Sequence, residues 1–163
     1  MIKGIHHIAV STPDLDRMVA FYGDALGFEK VDWDGGWKRG NPVIDQIVGL
    51  RDSSARSVML RAGNVYLELF QYLTPEARPG DPERPVCDHG YTHFCLDVED
   101  VEAEYQRLSA LGVRFNSPPV FDHEQGIGAT YGRDPDGNVI EIQEVLKKAH
   151  PFHASRSGLT RSE

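Results

Sequence analysis

A chain that repeats itself is restricted to folds built from repeated units, and this one repeats. His7 is followed seven residues later by Asp14-Leu15, and His93 seven residues later by Asp100-Val101. Leu26-Gly27-Phe28 lies 19 to 21 residues after His7, and Leu111-Gly112-Val113 lies 18 to 20 after His93. Gly63-Asn64-Val65 leads to Glu68, and Gly137-Asn138-Val139 leads to Glu141 one residue sooner. A period of this size means two copies of one supersecondary unit, neither able to bury its apolar face alone.

Local patterning gives each copy the order strand, helix, strand, strand, strand. Residues 4–10 alternate so that His7 and Ala9 share one strand face, with His6, Ile8 and Val10 on the other. Thr12 is placed to cap a helix, with Pro13 in its first position. Leu15, Met18, Tyr22 and Leu26 follow at helical spacing, and Gly27 stops the run. A strand over 28–33 precedes a long loop, 34–52, holding a short turn of helix. Strands over 57–61 and 65–72 come next, the second placing Tyr66, Glu68, Phe70 and Tyr72 on one face. In the second copy, residues 90–98 form a strand with His93, Cys95 and Asp97 on one face. A helix from Val101 to Leu111 and a short strand over 113–115 follow. A polar loop, 121–128, carries His123 and Glu124, and a closing hairpin pairs 129–133 with 139–145. The turn Asp134-Pro-Asp-Gly-Asn138 thereby delivers Glu141 to mid-strand.

The resulting division is a first module over 1–73, a linker over 74–89, a second module over 90–146 and a polar tail over 147–163. Pro75, Pro79, Pro82 and Pro85 mark the linker. A net charge of -8 argues against nucleic acid or an anionic membrane as partner. No apolar run approaches the ~20 residues needed to span a bilayer. The first residues lack the apolar core of a signal peptide, so a cytoplasmic protein is expected. Cys87 and Cys95 show no CxxC spacing and are expected as reduced thiols, Cys95 as a small buried residue in its strand.

Four side chains stand out because the repeat places them equivalently: His7 and Glu68 in the first copy, His93 and Glu141 in the second. Each sits in a strand with apolar neighbours on the opposite face. A strand with one face in water would account for any one of them. It does not account for two histidines and two carboxylates at matching positions. Neutral imidazoles with hard carboxylate oxygens suit a divalent cation.

The segments His7-Ile-Ala-Val, Asp14-Leu15, Phe21-Tyr22 and Leu26-Gly27-Phe28 resemble the first module of the vicinal oxygen chelate superfamily. That superfamily includes glyoxalase I, methylmalonyl-CoA epimerase, extradiol dioxygenases, and fosfomycin and bleomycin resistance proteins. Leu67-Glu68-Leu69, Thr92-His93-Phe94 and Asp134 to Glu141 resemble its other signature segments, so the likeness covers residues 2–145. It implies an α+β fold in which two βαβββ modules pair into a cupped, mostly antiparallel sheet. It also implies one divalent metal ion (Ni, Co, Mn, Zn or Fe) per site, held by His7, Glu68, His93 and Glu141.

This ligand set is similar to that of glyoxalase I and close to that of the epimerase. The implied reaction is that of a lyase or isomerase that chelates a substrate with vicinal oxygens and moves a proton through an enediolate. Glu141 is then the base and Glu68 its counterpart, with Tyr66, Phe70, Tyr72, Cys95 and His123 lining the substrate pocket. A small-molecule substrate and a homodimer are expected, with no nucleic acid and no membrane. The alternatives are an Fe(II) extradiol ring-cleavage dioxygenase and a non-catalytic binding protein of the bleomycin-resistance kind. Ser11 and Tyr72 stand where bacterial glyoxalase I has a glutathione-gripping arginine and an asparagine, which points away from a glutathione hemithioacetal.

Overall fold

Why the chain needs two sheets follows from its apolar strand faces, each of which must be covered by a helix of its own unit. The computed structural model describes residues 1–33 and 35–153 and divides into two compact units between Gly80 and Asp81. That division falls inside the proline-rich stretch. The expectation for the tail beyond residue 153 lies outside the described residues.

The first unit holds β1 (His7–Ser11), α1 (Leu15–Ala20), a π turn (Phe21–Ala25), β2 (Glu29–Lys30), α2 (Pro42–Val48), β3 (Ser54–Ala62) and β4 (Val65–Thr74). Its four strands run in the order β1-β4-β3-β2; β1 is parallel to β4 and the other pairs are antiparallel. The second unit holds β5 (His93–Asp97), α3 (Val101–Ala110), β6 (Arg114–Phe115), β7 (Val120–Asp122), β8 (Ile127–Arg133) and β9 (Val139–Val145). Its order is β5-β9-β8-β6, with β7 also on β8, and here β5 is the strand parallel to its neighbour. The expected α+β class with mostly antiparallel sheets is what the molecule shows.

Each sheet buries one face under its helix. In the first unit Leu15, Met18 and Tyr22 pack with Leu60, Leu67 and Leu69, all buried. In the second, Val101 and Leu108 meet Ile140 and Ile142. Each such side chain contributes roughly 1.5–3 kcal/mol when fully removed from water. No helix among the described residues is long and apolar enough to cross a membrane.

Several local expectations change. The cap of α1 is Asp14, whose carboxylate accepts from Arg17 N at 3.1 Å; Thr12 instead accepts from Asp14 N through its hydroxyl, and Pro13 stays outside the helix. Asp100 caps α3 with nearly the same backbone angles (φ -138°, ψ 93° against φ -139°, ψ 91°), accepting from Ala103 N. The loop over 34–52 contains a seven-residue helix, α2, with Asn41 as cap, Pro42 in its first position and Gly49 at φ 71° as its stop. The segment expected as a polar loop over 121–128 is partly strand: β7 and the start of β8 pair there. Cys95 is exposed, because β5 turns its alternate residues away from α3.

Candidate functional site

In the parallel β1/β4 pair His7 lies opposite Tyr66, and Ala9 opposite Glu68. Residues two apart share a face, so His7 and Glu68 become diagonal neighbours, with Nε2 3.5 Å from Oε2. The β5/β9 pair repeats this register. His93 lies opposite Val139 and Cys95 opposite Glu141, and His93 Nε2 stands 3.0 Å from Glu141 Oε2. The four residues that the repeat singled out therefore form two His–Glu pairs, one in each unit.

Two turns set β4 and β9, the strands that carry the glutamates, against their antiparallel neighbours β3 and β8. Ala62 pairs with Val65 across Gly63-Asn64, and Gly63 takes φ 66°. In the second unit Arg133 pairs with Val139 across the Asp134–Asn138 turn. Buried Asp134 organises that turn by accepting from Asp136 N, Asn138 N and Asn138 Nδ2, each at 2.9 Å. Gly137 takes φ 88°, and a Cβ there would come within 2.4 Å of Pro82. Arg133 ties the same turn to the preceding chain, donating to the carbonyls of Pro82, Arg84 and Gly137.

The surroundings orient each pair. His7 Nδ1 is 2.9 Å from His6 Nδ1, and His93 Nδ1 is 2.9 Å from Thr92 Oγ1. In both rings Nδ1 is thus engaged by the preceding residue, and Nε2 faces the carboxylate. Glu68 is further held by the Ser57 hydroxyl, which donates to Oε1 at 3.1 Å. Glu141 instead lies opposite Cys95 on one side and Tyr131 on the other. Partial loss of water around the sulfur, and then the Glu141 charge, push the Cys95 thiol up to about 12. Burial, and then the same carboxylate, raise the Tyr131 phenol; burial, and then Glu68, raise that of Tyr72.

Of the expected pocket residues, Tyr66, Phe70 and Tyr72 alternate along β4 on the Glu68 side. Phe70 and Tyr72 pack with Trp37 at centroid distances of 5.9 and 5.7 Å, and Tyr66 packs on His6. Cys95 shares a face with Glu141. His123 stacks on Phe121 in the β7–β8 turn, and no hydrogen bond or ion pair joins it to His93 or Glu141 among the described residues. Sequence reasoning missed Ser57, Trp37 and Tyr131. The signal for Tyr131 was its place opposite Glu141 in the hairpin; its ring lies 4.7 Å from that of His93.

For a divalent cation each pair offers one imidazole nitrogen and one carboxylate oxygen, the donor types such an ion takes. Within either unit, no third His, Cys, Asp or Glu among the described residues completes a group of three. Each unit thus supplies two fitting donors.

The model of the Glyoxalase/Bleomycin resistance protein/Dioxygenase superfamily matches residues 4–142. A 2-epi-5-epi-valiolone epimerase from an Actinomyces species is 35% identical over 122 residues, which is 71% of this chain but only 63% of that protein. The chain therefore spans less than two thirds of that relative's length. An ethylmalonyl-CoA/methylmalonyl-CoA epimerase from Cereibacter sphaeroides is 27% identical over 89% of this chain and 100% of its own. A glyoxalase family protein from Bacillus cereus matches in fold with a TM-score of 0.78, at 21% identity, over 90% of this chain and 97% of that one.

Proposed function

We propose, since the chain belongs to the Glyoxalase/Bleomycin resistance protein/Dioxygenase superfamily, that it is a divalent-metal-dependent isomerase of the epimerase type, moving a proton at a carbon acid. The observation that carries this reading is the duplicated His–Glu pair in identical strand register. His7, Glu68, His93 and Glu141 would hold the ion together, within one chain or across a homodimer. Once bound, the ion would polarise two neighbouring oxygens of a substrate and stabilise the charge that develops as the adjacent carbon loses its proton.

The chain's own groups supply the rest. By donating Nδ1–H to His6 Nδ1 and Thr92 Oγ1, the rings of His7 and His93 would keep their Nε2 lone pairs for the cation. Ser57 holds Glu68 in place. Glu141, which has the Cys95 thiol beside it in place of a hydroxyl among the described residues, takes the role of base. Tyr66, Phe70 and Tyr72 exclude water from the carbon acid, and the polar tips of the tyrosines orient its oxygens.

Protein purified without chelators or a histidine tag is expected to carry stoichiometric divalent metal. It should exchange the acidic proton of malonyl-type thioesters or α-hydroxyketones for solvent deuterium. Metal-free protein that regains no exchange with any divalent ion would remove this reading. Consumption of O2 with a catechol would replace it by the dioxygenase.

A further inference from the structure

β2 pairs with β3 only at Glu29–Arg61 and Lys30–Leu60. Val31 N still donates to Met59 O at 2.9 Å, but the chain then swings away and returns at Trp37, bridged to Ala55. Between these attachments the edge of β3 is left uncovered by strand. A cavity of about 600 Å³ opens there, within the range of small-molecule sites.

Among the described residues its lining is basic, in a chain whose net charge is -8: Lys30, Lys38 and Arg56 against one carboxylate, Asp32. Arg56 is already engaged, donating to Asp16 at 2.6 Å and to Gln71 at 3.1 Å. Lys30 and Lys38 have no ion-pair partner among the described residues. Trp33 and Trp37, the only two tryptophans in the sequence, also line the cavity.

We propose that this cavity binds one anionic group, a carboxylate or a phosphate, carried on a flat or apolar body. The two ammonium groups take the anion, and the indoles take the body by stacking. With Asp32 in the wall, the free charge favours one anionic group over a polyphosphate. Ser57 connects the cavity to the site, since it lines the cavity and donates to Glu68. Resting on the metal-dependent isomerase reading above, the cavity holds the anionic tail of that enzyme's substrate.

Because both tryptophans line the cavity, intrinsic fluorescence reports on it directly. The probes are 4-nitrobenzoate, 4-nitrophenyl phosphate and the neutral 4-nitrobenzamide. Saturable quenching by an anion, with the amide weaker, supports the proposal, and the tighter anion identifies the group. Lys30 and Lys38 are exposed, so the K30A/K38A double variant should melt like the parent. It should bind the anions at least about tenfold more weakly, the loss expected for one charge-assisted hydrogen bond, with metal content unchanged. Quenching by the amide as strong as by the anions, no saturable quenching at all, or anion affinity unmoved in the variant would each overturn the proposal. Anion binding by protein that neither takes up metal nor exchanges protons leaves the cavity standing and removes the isomerase reading. Metal uptake and exchange without anion binding does the reverse.

Discussion

The two His–Glu pairs share a backbone and differ in what holds them. In the first unit the carboxylate is pinned: Glu68 has a side chain 10% exposed and accepts from Ser57, while its partner His7 is 41% exposed and 3.5 Å away. In the second unit the imidazole is pinned. His93 is 24% exposed, sits against Tyr131 and meets Glu141 at 3.0 Å, while Glu141, 14% exposed, has the weaker Cys95 thiol beside it and no hydroxyl donor among the described residues. One register can thus carry two roles, because strand pairing sets the position of a side chain and the neighbouring strand sets its freedom. A fixed carboxylate makes a dependable ligand, and a freer one can leave an ion to accept a proton.

That asymmetry is broken most directly by exchanging the carboxylates for amides one at a time. Glu141→Gln should cut proton exchange by about 10²- to 10⁴-fold, the usual contribution of a general base, while the protein still takes up measurable metal. Glu68→Gln should chiefly lose metal. Equal rate losses in the two variants, tracking metal content in both, would leave Glu141 with no special role. Ser57→Ala tests the pin itself. It should weaken metal affinity by about 10- to 100-fold, the common cost of losing a group that orients a ligand, and a metal titration with turnover measured at saturation separates this from a rate effect. If affinity stays put, the Ser57–Glu68 hydrogen bond does nothing for the ligand.

The repeat, read as sequence, already contained the four His and Glu positions and both helices, because period-two alternation and helical spacing are local properties; the first helix cap was read two residues early, at Thr12 instead of Asp14. What it hid was set by partners distant in the chain. Ser57 comes to Glu68 through an antiparallel pairing that extends β3 back to Ser54, three residues before the strand expected from alternation. Tyr131 reaches His93 only because β8 and β5 both pair with β9. Cys95 looked buried because its neighbours are apolar, yet alternation turns it to the open face. The α2 signals, Asn41-Pro42 and Gly49, were present in full; flanking charge and glycine made the segment read as loop.

Whether the two copies are equivalent in stability as well as in shape can be asked at the caps. Asp14→Ala and Asp100→Ala each remove one side-chain acceptor from a helix start of the same geometry. Each should cost about 1 kcal/mol, read as a lowered urea midpoint with unchanged slope. A large difference between them would show that the units do not melt together or that one helix is supported mainly by packing.

The smallest expected effect lies in a feature of the first unit that the second lacks, the excursion that carries α2. Asp45 anchors it: its carboxylate accepts from Ser53 Oγ, Ser53 N and Asp52 N, and Ser53 Oγ in turn accepts from Trp37 Nε1. The Ser53 hydroxyl, followed by the Ser53 and Asp52 backbone amides, holds the Asp45 carboxyl below its ordinary 3.8. A carboxyl lowered on folding stabilises the fold above its unfolded value, and that contribution disappears as pH falls through the lowered one. Asp45→Asn should therefore lower the urea midpoint at pH 7, with the gap from the parent closing as pH drops below about 4. Because Trp37 is at the end of the chain of hydrogen bonds, its emission should shift in the variant at neutral pH. A gap that persists undiminished at pH 3 would mean that shape at residue 45, and not its charge, secures the edge beside Glu68, a support the second unit lacks.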